Sequence, residues 1–168
     1  MLGGALNKEL LIYASGPFLG EGEDPYADYP QQVEQLLKKG FRAIKPRVGH
    51  DPRADGKVMR ALRRQVGDDI TLMVDINQGY TLGAAIESAR HMEDARLLWI
   101  EEPLQGEDIP GYRALVNAGP WTIAGGEALG SPAAFRDFLN AGTFSVLQPD
   151  LTMCGGYTGF RKIAALAD

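Results

Sequence analysis

Apolar runs and amphipathic stretches alternate along the whole chain, and their lengths set the elements. ELLIYASG (9–16), FRAIKPRVG (41–49), ITLMVDIN (70–77), LLWIEEP (97–103), WTIAGGE (121–127) and FSVLQPD (144–150) read as strands. ITLMV, LLWI and FSVL are near-continuous in apolar residues, the pattern of strands covered by helices on both faces; a half-exposed strand would alternate. PQQVEQLLKKG (30–40), KVMRALRRQVG (57–67), TLGAAIESARHMEDA (81–95), IPGYRALVNAG (109–119), SPAAFRDFLNAG (131–142) and YTGFRKIAALAD (157–168) are predicted helices. In the second of these Val58, Met59, Leu62 and Val66 recur at helical spacing. Thr81 and Ser131 stand where N-caps belong, and Gly40, Gly67, Gly119 and Gly142 where helices stop. Six βα units follow one another without a linker or low-complexity tract, so residues 1–168 read as one α/β unit.

Four of the strand runs close on an acid: Asp75, Glu101, Glu127 and Asp150, at intervals of 26, 26 and 23 residues. A repeat of that length holds a strand, a helix and two short loops, which is what joins parallel neighbours. Two architectures accommodate six βα units, an open doubly wound sheet and a (β/α)₈ barrel of which the chain carries a part. Acids on four consecutive strand ends favour the barrel, whose strands deliver their C-terminal ends to one rim. With 168 residues the chain is shorter than the roughly 250 typical of that fold. The expectation is a partial barrel lacking its last strands.

Composition narrows the chemistry. Hydrophobic residues at 45% and charged residues at 23% describe a folded chain, and a net charge of −5 with scattered Lys and Arg argues against nucleic-acid binding. The lone cysteine, Cys154, suggests no oxidising compartment; no run approaches the roughly 20 apolar residues of a membrane span, and MLGGALNKEL lacks the features of a signal peptide. A cytoplasmic protein is expected. Asp75, Glu101 and Glu127 are hard oxygen donors suited to Mg²⁺, whereas the only histidines, His50 and His91, fall in a loop and on a helix and give zinc little to bind. One such acid alone would read as a helix cap or a solvated side chain; three in series read as a metal site. Lys45 ends the preceding strand and is expected in the same mouth, as a general base or as a clamp on a substrate carboxylate. Arg47, two residues on, can hold a carboxylate but is no base. The alternative for this pair is a surface role neutralising nearby acids. Trp99 and Trp121 read as core packing.

The motifs AIKPRVG, VGDDITLMVDINQGY, WIEEPL, IAGGE and LQPDLTMCGGYTGF, spanning residues 43–160, resemble the mandelate racemase group of the enolase superfamily. The resemblance implies Mg²⁺ on Asp75, Glu101 and Glu127, with Glu102 orienting that shell. It also implies substrate contact at Asn77 and an Asp150 that hydrogen-bonds a catalytic histidine. It implies abstraction of the proton alpha to a carboxylate through an enediolate, a small-molecule carboxylate as partner, and a homo-oligomer. The chain departs from the racemase pattern, because Lys-x-Lys is here Lys-Pro-Arg, which removes one of two bases. A one-sided reaction is therefore favoured: dehydration of an aldonate or aldarate to a 2-keto-3-deoxy acid. Racemisation, epimerisation, cycloisomerisation and an inactive, metal-binding fragment are the alternatives. The histidine partner of Asp150 is expected one βα step further on, beyond residue 168. The N-terminal capping domain of the family is expected to be missing, with MLGGALNKE as its last remnant if any.

Overall fold

The computed structural model describes Gly4 and residues 7–168, so most of the segment MLGGALNKE lies outside the described residues. Strands β1 (Ala14–Ser15), β2 (Ala43–Lys45) and β3 (Thr71–Leu72) form one parallel ladder, and β4 (Val74–Asp75), β5 (Ile100–Glu101), β6 (Ile123–Gly125) and β7 (Val146–Leu147) form another, each in sequence order. Among the described residues six α-helices alternate with them: α1 (Tyr29–Lys38), α2 (Pro52–Val66), α3 (Leu82–His91), α4 (Ile109–Ala118), α5 (Pro132–Asn140) and α6 (Gly156–Ala167). This sequential parallel order is that of a (β/α)₈ barrel portion.

The run 70–77 was expected as one strand and is two, meeting at Met73. Leu72 pairs with Ile44 in the first ladder, and Val74 with Ile100 in the second. The seam is stitched by Met73 N–H donating to Ile44 C=O (3.1 Å), Val74 N–H to Trp99 C=O (3.2 Å) and an Arg47–Asp75 bridge. Expected strand 9–16 shrinks to Ala14–Ser15, with Leu10, Leu11 and Ile12 exposed, because only those two residues meet the β2 ladder. Expected strand 41–49 shortens to three residues, since Pro46 has no N–H to donate. Helix α2 begins five residues earlier than its apolar spacing suggested. Asp51 caps it by accepting from the N–H groups of Arg53 (3.0 Å) and Ala54 (2.9 Å), and Pro52 suits its first position. Thr81 and Ser131 cap α3 and α5 as expected, and Gly67, at φ 71°, ends α2 in a conformation that disfavours other residues.

Alternation along the strands sends Ile44, Leu72, Val74, Ile100 and Ile123 under the helices, all nearly inaccessible. Tyr112, Phe135, Phe138 and Phe144 fill the space beneath α4 and α5, with the Phe138 and Phe144 rings stacked 4.5 Å apart. Two buried charges stabilise the helical layer. Arg63 of α2 donates to the carbonyls of Ala95 (2.9 Å), Gly67 (2.7 Å) and Ile70 (2.7 Å), tying the loop before β3 and the turn after α3 to the helix. Asp55, in the first turn of α2 and fully buried, accepts from Tyr26 Oη, Tyr80 Oη (2.7 Å), Ser88 Oγ (2.8 Å) and Gly49 N–H (3.2 Å). Gly56 beside it lets α2 approach α3 closely; a Cβ there would lie 2.5 Å from that of His91.

Burial first, and then the bond to Asp55, push the phenols of Tyr26 and Tyr80 far above the ordinary tyrosine range. The folded chain therefore keeps protons that the unfolded chain releases above about pH 10, so the stabilisation is complete below that pH and is lost above it. Urea unfolding between pH 9 and 11 is expected to show stability falling by up to about 2.7 kcal/mol per pH unit if both phenols contribute. The Y26F/Y80F double variant should lower that slope by the share of these two phenols, leaving the part due to Tyr29 and Tyr112, which burial raises likewise. An equally steep slope in the double variant would show that other groups cause it.

Candidate functional site

Neighbours in register on parallel strands point to the same face, so the pairing of Asp75 with Glu101 sets both carboxylates side by side, away from the helices. Lys45 stands at the end of β2 on the same face. All three are buried, at 6%, 5% and 2% exposure for Lys45, Asp75 and Glu101. The Lys45 ammonium donates to Glu101 Oε1 and lies 3.6 Å from Asp75 Oδ2, while Arg47 Nη2 approaches that same oxygen at 3.2 Å. Asp75 Oδ1 accepts from the Asn77 backbone N–H at 2.8 Å. Burial by itself would lower the Lys45 pKa, but the bond and charge of Glu101 and the charge of Asp75 outweigh it and hold the amine above its usual value. Burial and then the neighbouring Glu101 push Asp75 upward, against the opposing pull of Lys45 and Arg47.

Glu102 turns away on the next residue, at φ 39°, and its Oε2 accepts from Gln78 Nε2 (3.0 Å). Gln78 in turn accepts from Gly106 N–H (2.9 Å), so the loops after β4 and β5 are fastened together behind the acids. Glu127 follows Gly126, whose φ of 112° and contact with Phe135 leave no room for a side chain. Its own residue is exposed, yet burial and then the charges of Asp75 and Glu101 raise its pKa, so the three carboxylates share one field. Asn77 is exposed beside Asp75 at φ 49°. Among the described residues the Asp150 side chain bonds to none of these groups. It is exposed, its Oδ1 accepts from Thr152 N–H (2.6 Å) and Oγ1 (2.5 Å), and those bonds hold its pKa below the carboxylate norm. Neither histidine reaches it: His91 faces Glu87 on α3, and His50 lies beside Tyr26.

The donor chemistry fits a divalent cation. Asp75, Glu101, Glu102 and Glu127 bring four carboxylates against the two cations Lys45 and Arg47, an excess of two negative charges, and Asp75, Glu102 and Glu127 are all pushed upward, by burial first and then by one another's or Glu101's charge. As the side chains lie, no three His, Cys, Asp or Glu groups among the described residues stand close enough to ligate one ion, and Lys45 bridges Asp75 and Glu101. Sequence reasoning missed two groups. Trp99 was read as core packing, but its Nε1–H donates to Glu101 Oε2 (3.1 Å), and Gln148 Nε2 donates to the same oxygen (2.6 Å). Trp99, two residues before Glu101, was recognisable from alternation along β5; Gln148 carried no signal.

The Enolase C-terminal domain-like family model matches residues 28–168. The 3,6-anhydro-alpha-L-galactonate cycloisomerase of Streptomyces coelicolor is 42% identical over 158 residues, covering 94% of this chain and 43% of that protein. The D-galactarolactone cycloisomerase of Agrobacterium fabrum is 36% identical over 168 residues, covering 99% and 44%. The crystal structure of L-talarate dehydratase from Polaromonas sp. JS666, complexed with Mg and L-glucarate, superposes with a TM-score of 0.83 at 36% identity, covering 92% of this chain and 43% of that one. The chain thus spans about two-fifths of the length of these relatives.

Proposed function

This chain belongs to the enolase C-terminal domain-like family, and on that premise we propose that it carries the cation site and cationic clamp of a Mg²⁺-dependent enzyme acting on sugar acids. The observation that carries this reading is the buried Lys45–Glu101–Asp75 group at adjoining strand ends, with Arg47 against Asp75. Asp75, Glu101 and Glu127 would hold Mg²⁺, which when bound supplies Lewis-acid stabilisation to the substrate carboxylate as its alpha proton leaves. Lys45 and Arg47 present positive charge to the same carboxylate, and Arg47, permanently protonated, cannot return a proton from a second side. Asp150 is assigned to orienting the imidazole of a general base. Asn77, exposed next to Asp75, is assigned to a substrate hydroxyl.

With one side of the reaction lacking a base, elimination of the beta hydroxyl follows proton removal, and the product is a 2-keto-3-deoxy acid. A second reading, cycloisomerisation, is favoured by the names of the two relatives described above. Incubating the protein with a panel of aldonic and aldaric acids and their lactones in Mg²⁺ separates them. Keto acid is the expected product, and turnover to a cyclic isomer without keto acid would overturn dehydration. For the cation itself, Mg²⁺ at 100 times its Kd is expected to add about 2.7 kcal/mol of stability, a rise in Tm of about 5–10 °C. No rise at millimolar Mg²⁺ would refute the site.

A further inference from the structure

Glu101 is held by both oxygens, and by different partners. Oε1 receives the Lys45 ammonium; Oε2 receives Trp99 Nε1–H at 3.1 Å and Gln148 Nε2–H at 2.6 Å. Trp99 reaches it along β5 itself. Gln148 comes from beyond β7, two strands away, and its backbone N–H is anchored to Gly125 C=O at 3.0 Å. The residue between them on β6 is Ala124, which pairs with both Glu101 and Val146. Ala124 carries only a methyl group on that strand. Tyr13 packs edge-on to Trp99 at 5.6 Å, with the Lys45 ammonium 5.3 Å from the Tyr13 ring centre, so the indole is held from its far side as well.

We propose that Gln148, together with Trp99, is a positioning residue that occupies Oε2 of Glu101, so that Oε1, which Lys45 otherwise holds, is the single oxygen Glu101 can turn over to a divalent cation. The inference rests on the reading of Asp75, Glu101 and Glu127 as the cation site. Its consequence is selectivity. A carboxylate restricted to one oxygen suits Mg²⁺, which demands compact octahedral geometry, whereas a carboxylate free to use both suits the larger and more flexible shell of Ca²⁺. Partners that orient a metal-binding side chain typically change metal affinity by about 10–100-fold when removed.

The test is calorimetric titration of the chain with Mg²⁺ alone and with Ca²⁺ alone, for the unaltered protein, Gln148→Met and Trp99→Phe. Methionine keeps the length of Gln148 and removes its donor. The expected result is a fall of about tenfold in Mg²⁺ affinity for Q148M with a smaller fall, or a gain, for Ca²⁺, so that the Ca²⁺-to-Mg²⁺ affinity ratio rises at least about fivefold. W99F should shift the ratio the same way. An unchanged Mg²⁺ affinity in both variants would overturn the proposal, and so would a parallel loss for both ions, which is what a merely structural role produces. If the unaltered chain binds neither ion, the cation-site reading fails and the proposal fails with it. Binding by the unaltered chain with no change of ratio in either variant removes the proposal alone.

Discussion

Replacing Asp55 by alanine is expected to cost about 4 kcal/mol of folding stability, near the upper end for a single substitution. The carboxylate is the common acceptor for Tyr26, Tyr80, Ser88 and the Gly49 N–H, and all four donors lie in or beside the interior. Alanine removes every acceptor at once and leaves no path for water, because Asp55 has no accessible surface. The donors come from the loop before α1, the loop after β2, the loop after β4 and helix α3, so the loss loosens four segments that converge on one helix turn. No salt bridge balances Asp55 among the described residues; hydrogen bonds and its place in the first turn of α2, where the helix dipole favours negative charge, do so instead. Asp55→Asn keeps the volume and part of the acceptor capacity and should cost about half as much. Urea unfolding of both variants provides the measurement, and a loss below about 1 kcal/mol for D55A would show that the hydroxyls find other acceptors.

Lys45→Met has the second large effect, and its sign depends on the cation. In EDTA the variant leaves the Asp75 and Glu101 carboxylates adjacent, buried and without the ammonium between them, which is expected to cost about 3 kcal/mol, as breaking a buried ion pair does. Saturating Mg²⁺ should restore most of that loss and should raise the Tm of K45M by more than it raises that of the unaltered chain. On the proposed function the variant is also expected to lose turnover of sugar acids by at least about a hundredfold, since Lys45 would face the substrate carboxylate. Equal Mg²⁺ stabilisation in the two proteins would mean that Lys45 and the ion do not share the acids.

Much of this organisation was legible in the sequence, and the parts that were not have a common origin. Six βα units, their helix caps and the placement of Lys45, Asp75 and Glu101 on one face follow from periodicity along single elements, which a sequence displays directly. Asp55 and Arg63 were not legible. Both sit on a helix rich in charge, where a polar side chain normally faces water, and each turns inward only because loops from elsewhere in the chain bring it partners. The length of β1 failed for a related reason: ELLIY has the composition of a strand, but pairing is decided by the neighbour it meets, and only Ala14 and Ser15 meet one. Gln148 reaches Glu101 from two strands away, a relation between separate strands that no single stretch encodes.

The seam at Met73 divides the site's inheritance as well as its hydrogen bonds. Lys45 and Arg47 arrive on or just past the first ladder, Glu101 and Glu127 on or just past the second, and Asp75 is the one acid bonded to both, through Glu101 in register and the Arg47 bridge. The in-register pairing of Asp75 with Glu101 that sets the acidic side is made by β4 and β5, while residues 45–47 supply the cations that meet it. A single aspartate thus keeps the cationic and acidic halves of the mouth aligned.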